Sequence, residues 1–176
     1  MPAAGTSQDS TPAGRLSDTA RARAAVAGIC DPEIPVLTIE DLGMLRGVTV
    51  DDHGQAVVTI TPTYSGCPAM FVMKTDILCA LDAAGFADAR VETVLSPAWT
   101  TDWLSDAGRE KLQAYGIAPP VRASTSRRAL FGEDSVNCPQ CGSAETERVS
   151  EFGSTSCKAL YRCRSCAEPF DYFKCL

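Results

Sequence analysis

Histidine is nearly absent from this 176-residue chain, with His53 standing alone. A Cys–His catalytic pair would have to use that one side chain. It lies in "DDHGQ", a polar stretch suited to a tight connection between the β-like runs "LRGVTV" and "AVVTI", so it reads as an exposed turn residue. Positive charge is also scarce. Sixteen Lys and Arg stand against 22 Asp and Glu, giving a formal charge of −6 and a pI near 4.8. That balance excludes the basic footprint of a general nucleic-acid binder. No apolar run approaches the roughly 18 residues of a membrane span. The opening "MPAAGTSQDSTPAGR" lacks the apolar core of a secretory leader. The expectations are a flexible tail over residues 1–15, a cytoplasmic location, and neither nucleic acid nor membrane as a partner.

Cysteine is plentiful. Nine are present, and six fall between Cys138 and Cys175. An odd number without a leader argues against a disulfide framework and for reduced thiols that bind metal. "CPQC" and "CRSC" supply Cys138, Cys141, Cys163 and Cys166, two CxxC pairs with 21 residues between them. Two such turns build a tetrahedral four-sulfur site. Structural zinc is the expected occupant, with iron as the alternative that suits the same ligands. So short a region needs the metal for its stability. Cys157 and Cys175 are read as small buried residues beside this ribbon, or as additional thiols.

The rest reads as helix, strand, strand, helix, strand, helix. "LSDTARARAAVAGI" is helical in propensity, with Ser17 or Asp18 as a cap. "CDPEIPVLTIEDLGML" is an ordered loop whose prolines stop that helix. Met70, Met73, Ile77, Leu81 and Ala84 recur at helical spacing, and Cys79 on the same helix is expected in the core. "ARVETVL" is a third strand, and "TTDWLSDAGREKLQAYGI" a last helix weakened at Gly108. The fold class is α/β: a small three-to-four-stranded sheet packed with helices, followed by a zinc-ribbon-like module. The expected division is an α/β domain over 16–117, a linker over 118–136 and a ribbon over 137–176. Arg122, Arg127 and Arg128 read as solvated linker residues.

Within "TPTYSGCPAM", Cys67 sits where a strand gives way to a helix. Pro68 suits the first helical turn, which places Cys67 at or near the N-cap. The helix N-terminus favours negative charge there, so a lowered thiol pKa is expected. Such a thiolate is either an enzymatic nucleophile or a ligand for a soft metal. The first use wants a base, which the sequence does not provide. The second wants further ligands from nearby oxygens or from another subunit of a homodimer. Asp31 and Glu33 in "CDPEIP" are the candidate oxygens, with Cys30 beside them; the alternative is that these acids only brace their loop. Asp41 reads as a turn acid.

"DPEIPVLTIEDLGML" together with "TPTYSGCPAM" resembles a small iron–sulfur assembly domain family. The arrangement with the ribbon ending "FDYFKCL" resembles, over roughly residues 20–176, the D-type accessory proteins of phenylacetate degradation. The resemblance implies that Cys67 is the reactive cysteine and that Asp31 and Glu33 form the acidic signature. It implies an accessory factor without catalysis of its own. Such a factor would assemble or maintain iron or iron–sulfur centres of phenylacetyl-CoA epoxidase, holding a transient iron species at Cys67. Implied partners are the epoxidase's di-iron subunit, its flavin- and cluster-bearing reductase, and the iron–sulfur assembly machinery. A scaffold that never transfers metal and a thiol enzyme using Cys67 are the competing readings.

Overall fold

The computed structural model describes residues 12–120 and 136–174. Arg122, Arg127, Arg128 and Cys175 lie outside the described residues.

Helix α1 (Pro12–Ala27) is alanine-rich and buries Ala22 and Val26, one turn apart, against the core. It begins earlier than its sequence suggests, so Ser17 and Asp18 lie within the helix and do not cap it. Residues 28–44 carry little regular structure, yet they are part of the core. Ile34, Leu37, Ile39, Leu42 and Met44 are almost wholly buried. Their backbone is pinned by an isolated bridge from Cys30 to Thr38 and by hydrogen bonds from Asp31 N to Leu37 O (2.9 Å) and Ile39 N to Ile29 O (2.8 Å).

Strands β1 (Leu45–Val50) and β2 (Ala56–Ile60) form an antiparallel hairpin. Its turn carries the exposed His53, whose N–H donates to Asp51 Oδ1. Helix α2 (Ala69–Ala83) then crosses to β3 (Arg90–Thr93), which pairs parallel with β2, as a parallel connection requires. The sheet order is β1-β2-β3. Met73, Ile77 and Leu81 of α2 pack inward, while Cys79 is exposed. Cys79 is therefore not a core residue: it lies two positions after Ile77, and i,i+2 positions do not share a helix face.

The last helical segment is interrupted at Ser105, not at Gly108. A short 3-10 turn (Thr101–Trp103) precedes helix α3 (Asp106–Tyr115), and Ser105 caps α3 by accepting from Gly108 N at 2.9 Å. Gly108 serves packing, because a Cβ there would lie 3.2 Å from Asp41 Cβ. Asp41 ties this region together. Its carboxylate accepts from Thr38 N and Oγ1, Ser105 Oγ and Lys111 Nζ.

A second sheet follows, formed by β4 (Ile117–Ala118), β5 (Thr146–Ser150), β6 (Lys158–Cys163) and β7 (Pro169–Phe173) in the order β4-β7-β6-β5. Strand β4 directly follows α3 and pairs parallel with β7, so the chain leaving the first module is an edge strand of the second sheet. Tyr161, Phe170 and Tyr172 fill the ribbon's small core. Phe173 turns the other way. It is fully buried in the core of the N-terminal module, edge-on to Trp99 with ring centroids 6.0 Å apart. Trp99 is held by its indole N–H on Leu42 O at 2.7 Å.

Candidate functional site

Two thiol-bearing regions are present. The first is at the tip of the ribbon. Cys138, Cys141, Cys163 and Cys166 place their sulfurs within 4.8 Å of one another. Cys138 and Cys166 are 3.8 Å apart, and Cys141 and Cys163 3.6 Å. Four thiolates about 2.3 Å from one tetrahedral zinc would lie about 3.8 Å from each other, so the donor set fits such an ion. The two turns are built alike. Cys138 N donates to Ser143 O and Cys163 N to Glu168 O, both at 2.9 Å. Gly142 and Ala167, the residues following the second cysteine of each pair, both have positive φ, 75° and 64°.

The second region lies between the two modules. Asp31 is buried, and its Oδ1 accepts from the backbone N–H groups of Glu33 (2.7 Å) and Ile34 (3.1 Å). Burial raises its pKa against the pull of those donors and of the nearby Lys158 charge. Cys67 sits in the turn after β2, with its N–H on Tyr64 O at 3.2 Å. Helix α2 is capped by Pro68, so Cys67 stands one residue before the cap. The helix-terminal N–H groups of Ala69 and Met70 do favour the thiolate. Burial outweighs them, and the charges of Asp31 and Glu33 add to it, so the Cys67 pKa is raised. The expected lowering fails because the thiol is only 8% exposed and burial in low dielectric penalises the charged form. The sole histidine, His53, is exposed on the β1–β2 hairpin turn.

The ribbon supplies the site's other wall. Cys157, 5% exposed, lies in the same buried cluster as Cys67. Its Sγ is 3.8 Å from Glu33 Oε2 and 3.1 Å from Thr155 Oγ1. Burial, with the charges of Glu33 and Asp31, pushes its thiol up to about 11. Tyr64 also belongs here: its hydroxyl is hydrogen-bonded to Ser156 and sits in the field of Cys67, Glu33 and Cys157. Lys158 is buried and paired with Asp171 at 3.2 Å. Cys30 is not part of this gathering; its thiol is exposed and directed at Gly28 O, 3.7 Å away. Asp41 is likewise committed elsewhere, to its loop and to Lys111. Sequence reasoning passed over Tyr64, Ser156 and Lys158. Their only signal was adjacency to Cys67 and Cys157, which has no meaning until the modules are docked.

A small βαβ-containing module with a buried cysteine beside two acids, joined to a four-sulfur ribbon, defines the class. Residues 19–94 match the model of a family described as iron–sulfur cluster assembly protein, and residues 122–174 match that of the PaaD zinc beta ribbon domain. The chain is 54% identical over 153 residues to the putative D-type component of 1,2-phenylacetyl-CoA epoxidase of Escherichia coli (strain K12), covering 87% of this chain and 90% of that protein. It belongs to that D-type component family. It is also 34% identical over 82 residues to the Fe-S protein maturation auxiliary factor YitW of Bacillus subtilis (strain 168), covering 46% of this chain and 79% of that one. Among solved structures, a domain of unknown function DUF59 from Bacillus anthracis superposes with a TM-score of 0.54 at 25% identity, over 58% of this chain and 97% of that one. Among the described residues, no helix is long and apolar enough to cross a membrane.

Proposed function

We propose that this protein is a maturation factor for the phenylacetyl-CoA epoxidase system. It takes up iron or an iron–sulfur unit as cargo at Cys67, with Asp31 and Glu33 as oxygen partners, and passes it to an epoxidase component. The observation that carries this reading is the burial of Cys67, within the field of the Asp31 and Glu33 charges, in a domain of the iron–sulfur assembly family. A protonated thiol beside carboxylates is a poor nucleophile. It becomes a ligand once a soft cation takes the proton's place.

Cys138, Cys141, Cys163 and Cys166 hold the ribbon's own metal, for which zinc is the fitting ion. A closed four-sulfur site supplies folding energy and does not release its ion readily. The cargo site has fewer sulfurs and so can let go. The immediate client is the cluster-bearing reductase or the di-iron subunit, and the assembly machinery is the donor.

The test is anaerobic reconstitution with iron and sulfide. Wild type loads iron beyond the ribbon metal and activates a metal-free epoxidase component. Cys67→Ala keeps the ribbon metal and loses both. Loading and activation unchanged by that substitution would refute the reading.

A second reading, a docking scaffold, draws on α2. Phe71 is 79% exposed, with Val72 and Leu78 also exposed on the same helix. On this reading Phe71→Ser abolishes co-purification with the epoxidase while Cys67→Ala leaves the complex and its activity intact.

A further inference from the structure

The four ribbon sulfurs are not equivalent. In each CxxC pair the first cysteine is buried and the second is exposed. Cys138 and Cys163 are fully buried and belong to the ribbon's apolar core with Val136, Tyr161 and Phe170. Cys141 and Cys166 are exposed. The likeness of the two turns accounts for this pattern. In both, the N–H of the first cysteine bonds a carbonyl beyond the turn, and a residue of positive φ follows the second. The four-sulfur centre therefore has one side in the core and the other at the surface.

Each exposed sulfur lies against a buried one of the other turn. Cys141 is 3.6 Å from Cys163, and Cys166 is 3.8 Å from Cys138. Protein contacts also tie the two turns together. Ser143 Oγ and Ser165 Oγ share a hydrogen bond of 2.7 Å, and Arg164 N donates to Glu145 O at 2.7 Å. The Arg164 guanidinium adds an ion pair with Glu147 at 2.7 Å. These contacts keep the cross-turn sulfur pairs together without help from an ion. A bound ion holds all four sulfurs as thiolates, the form that reacts with oxidants. A water-soluble oxidant meets Cys141 and Cys166 first.

We propose that Cys141 and Cys166 are sites of oxidative modification, through which a two-electron oxidant such as hydrogen peroxide opens the ribbon and frees its metal. The exposed thiolate attacks one peroxide oxygen. An S–O bond forms, the O–O bond breaks and hydroxide leaves; the sulfur has given up two electrons and is a sulfenic acid. The buried thiolate beside it, Cys163 for Cys141 and Cys138 for Cys166, then attacks that sulfur. An S–S bond forms, the S–O bond breaks and a second hydroxide leaves. Two protons from solvent turn both hydroxides into water. Two of the four thiolate donors are thereby lost, and the ion dissociates. A dithiol reductant reverses the step. This inference goes beyond the cargo reading of Cys67 and does not depend on it.

The test uses the full chain loaded with zinc, treated with limiting hydrogen peroxide in the presence of a colorimetric zinc chelator. Loss of the ribbon ion is expected to track the peroxide consumed, and to reverse with dithiothreitol and added zinc. Mass spectrometry of digests is expected to find Cys141 linked to Cys163 or Cys166 linked to Cys138. With dimedone present to trap sulfenic acid, Cys141 and Cys166 should carry at least about tenfold more adduct than Cys138 and Cys163. Cys30 and Cys79 are exposed thiols outside the ribbon. Protein carrying Cys30→Ser and Cys79→Ser together is expected to release its ion as wild type does. Retention of the ion while Cys30 and Cys79 are oxidised would overturn the proposal. So would adducts chiefly on Cys138 and Cys163, or links confined to Cys138 with Cys141 and Cys163 with Cys166.

Discussion

The Cys157 thiol of the ribbon faces the Glu33 carboxylate of the N-terminal module, Sγ to Oε2 3.8 Å, across 124 positions of sequence. This contact brings the ribbon against the acidic loop of the N-terminal module, and both Cys67 and Cys157 are buried.

Accessibility should therefore order the cysteines by reactivity. Cys30 and Cys79 are exposed, whereas Cys67 and Cys157 are buried. At neutral pH, with the ribbon metal bound, iodoacetamide is expected to label Cys30 and Cys79 first. Cys67 and Cys157 should react only slowly until denaturant is added. Mass spectrometry of timed digests checks this, and early labelling of Cys67 would restore the activated-thiolate picture.

The Trp99–Phe173 contact should couple the two modules. Phe173→Ala is expected to destabilise the protein by about 3–5 kcal/mol, as other buried Phe truncations do. Phe71→Ser, at an exposed position, should change stability by no more than about 0.5 kcal/mol. Urea unfolding followed by far-ultraviolet circular dichroism gives both numbers.

The two ribbon turns offer a matched pair of substitutions. Ala167 has φ 64°, a left-handed conformation that costs an L-residue roughly 1 kcal/mol and glycine little. Ala167→Gly is expected to slow loss of the ribbon metal to a chelator and raise the melting temperature slightly. Gly142→Ala, at φ 75°, should do the reverse.

Removing the ribbon metal should uncouple the second sheet. Cys138→Ala or exhaustive chelation is expected to lose one metal equivalent and the ordered cysteine turns before β5 and between β6 and β7, because the ribbon's apolar core is small. Elemental analysis with amide-exchange protection of β5 to β7 measures this.

Acid should loosen the loop around Asp41. Burial by itself would raise this carboxyl, but Lys111, 2.6 Å away, and the Thr38 donors outweigh it and hold the pKa below the ordinary value. The folded state thus binds this proton less readily than the unfolded chain. The stabilisation is present above the unfolded value near about 3.9 and is lost as pH falls through the lower folded value. Asp41→Asn is expected to flatten the acid limb of the stability curve below about pH 4 and to cost about 1 kcal/mol at neutrality. Urea midpoints across pH 2–7 provide the check.

Much of this architecture is legible in local sequence. The alternation in "AVVTI", the helical spacing after Pro68 and the polar "DDHGQ" connection each specify a short element through nearest-neighbour preferences. The CxxC pairs report a four-sulfur cluster because that constraint is also local, two ligands per tight turn. The path of residues 28–44 was less legible. Its apolar residues follow no single period, and their burial depends on the bridge from Cys30 to Thr38 and on the floor provided by Trp99.

Sequence alone determined the α/β module, the ribbon with its sulfur pairs, and the seating of Cys67 between a strand and a helix. Tertiary structure decided which way the electrostatics at Cys67 run. Helix-terminal N–H groups act within one turn and are visible from Pro68. Desolvation comes from tertiary packing, which leaves Cys67 only 8% exposed. Only that ribbon, entering through β4 and β7, sets Cys157 and Lys158 near Asp31 and Glu33, since contacts between residues more than a hundred positions apart leave no periodicity in the chain.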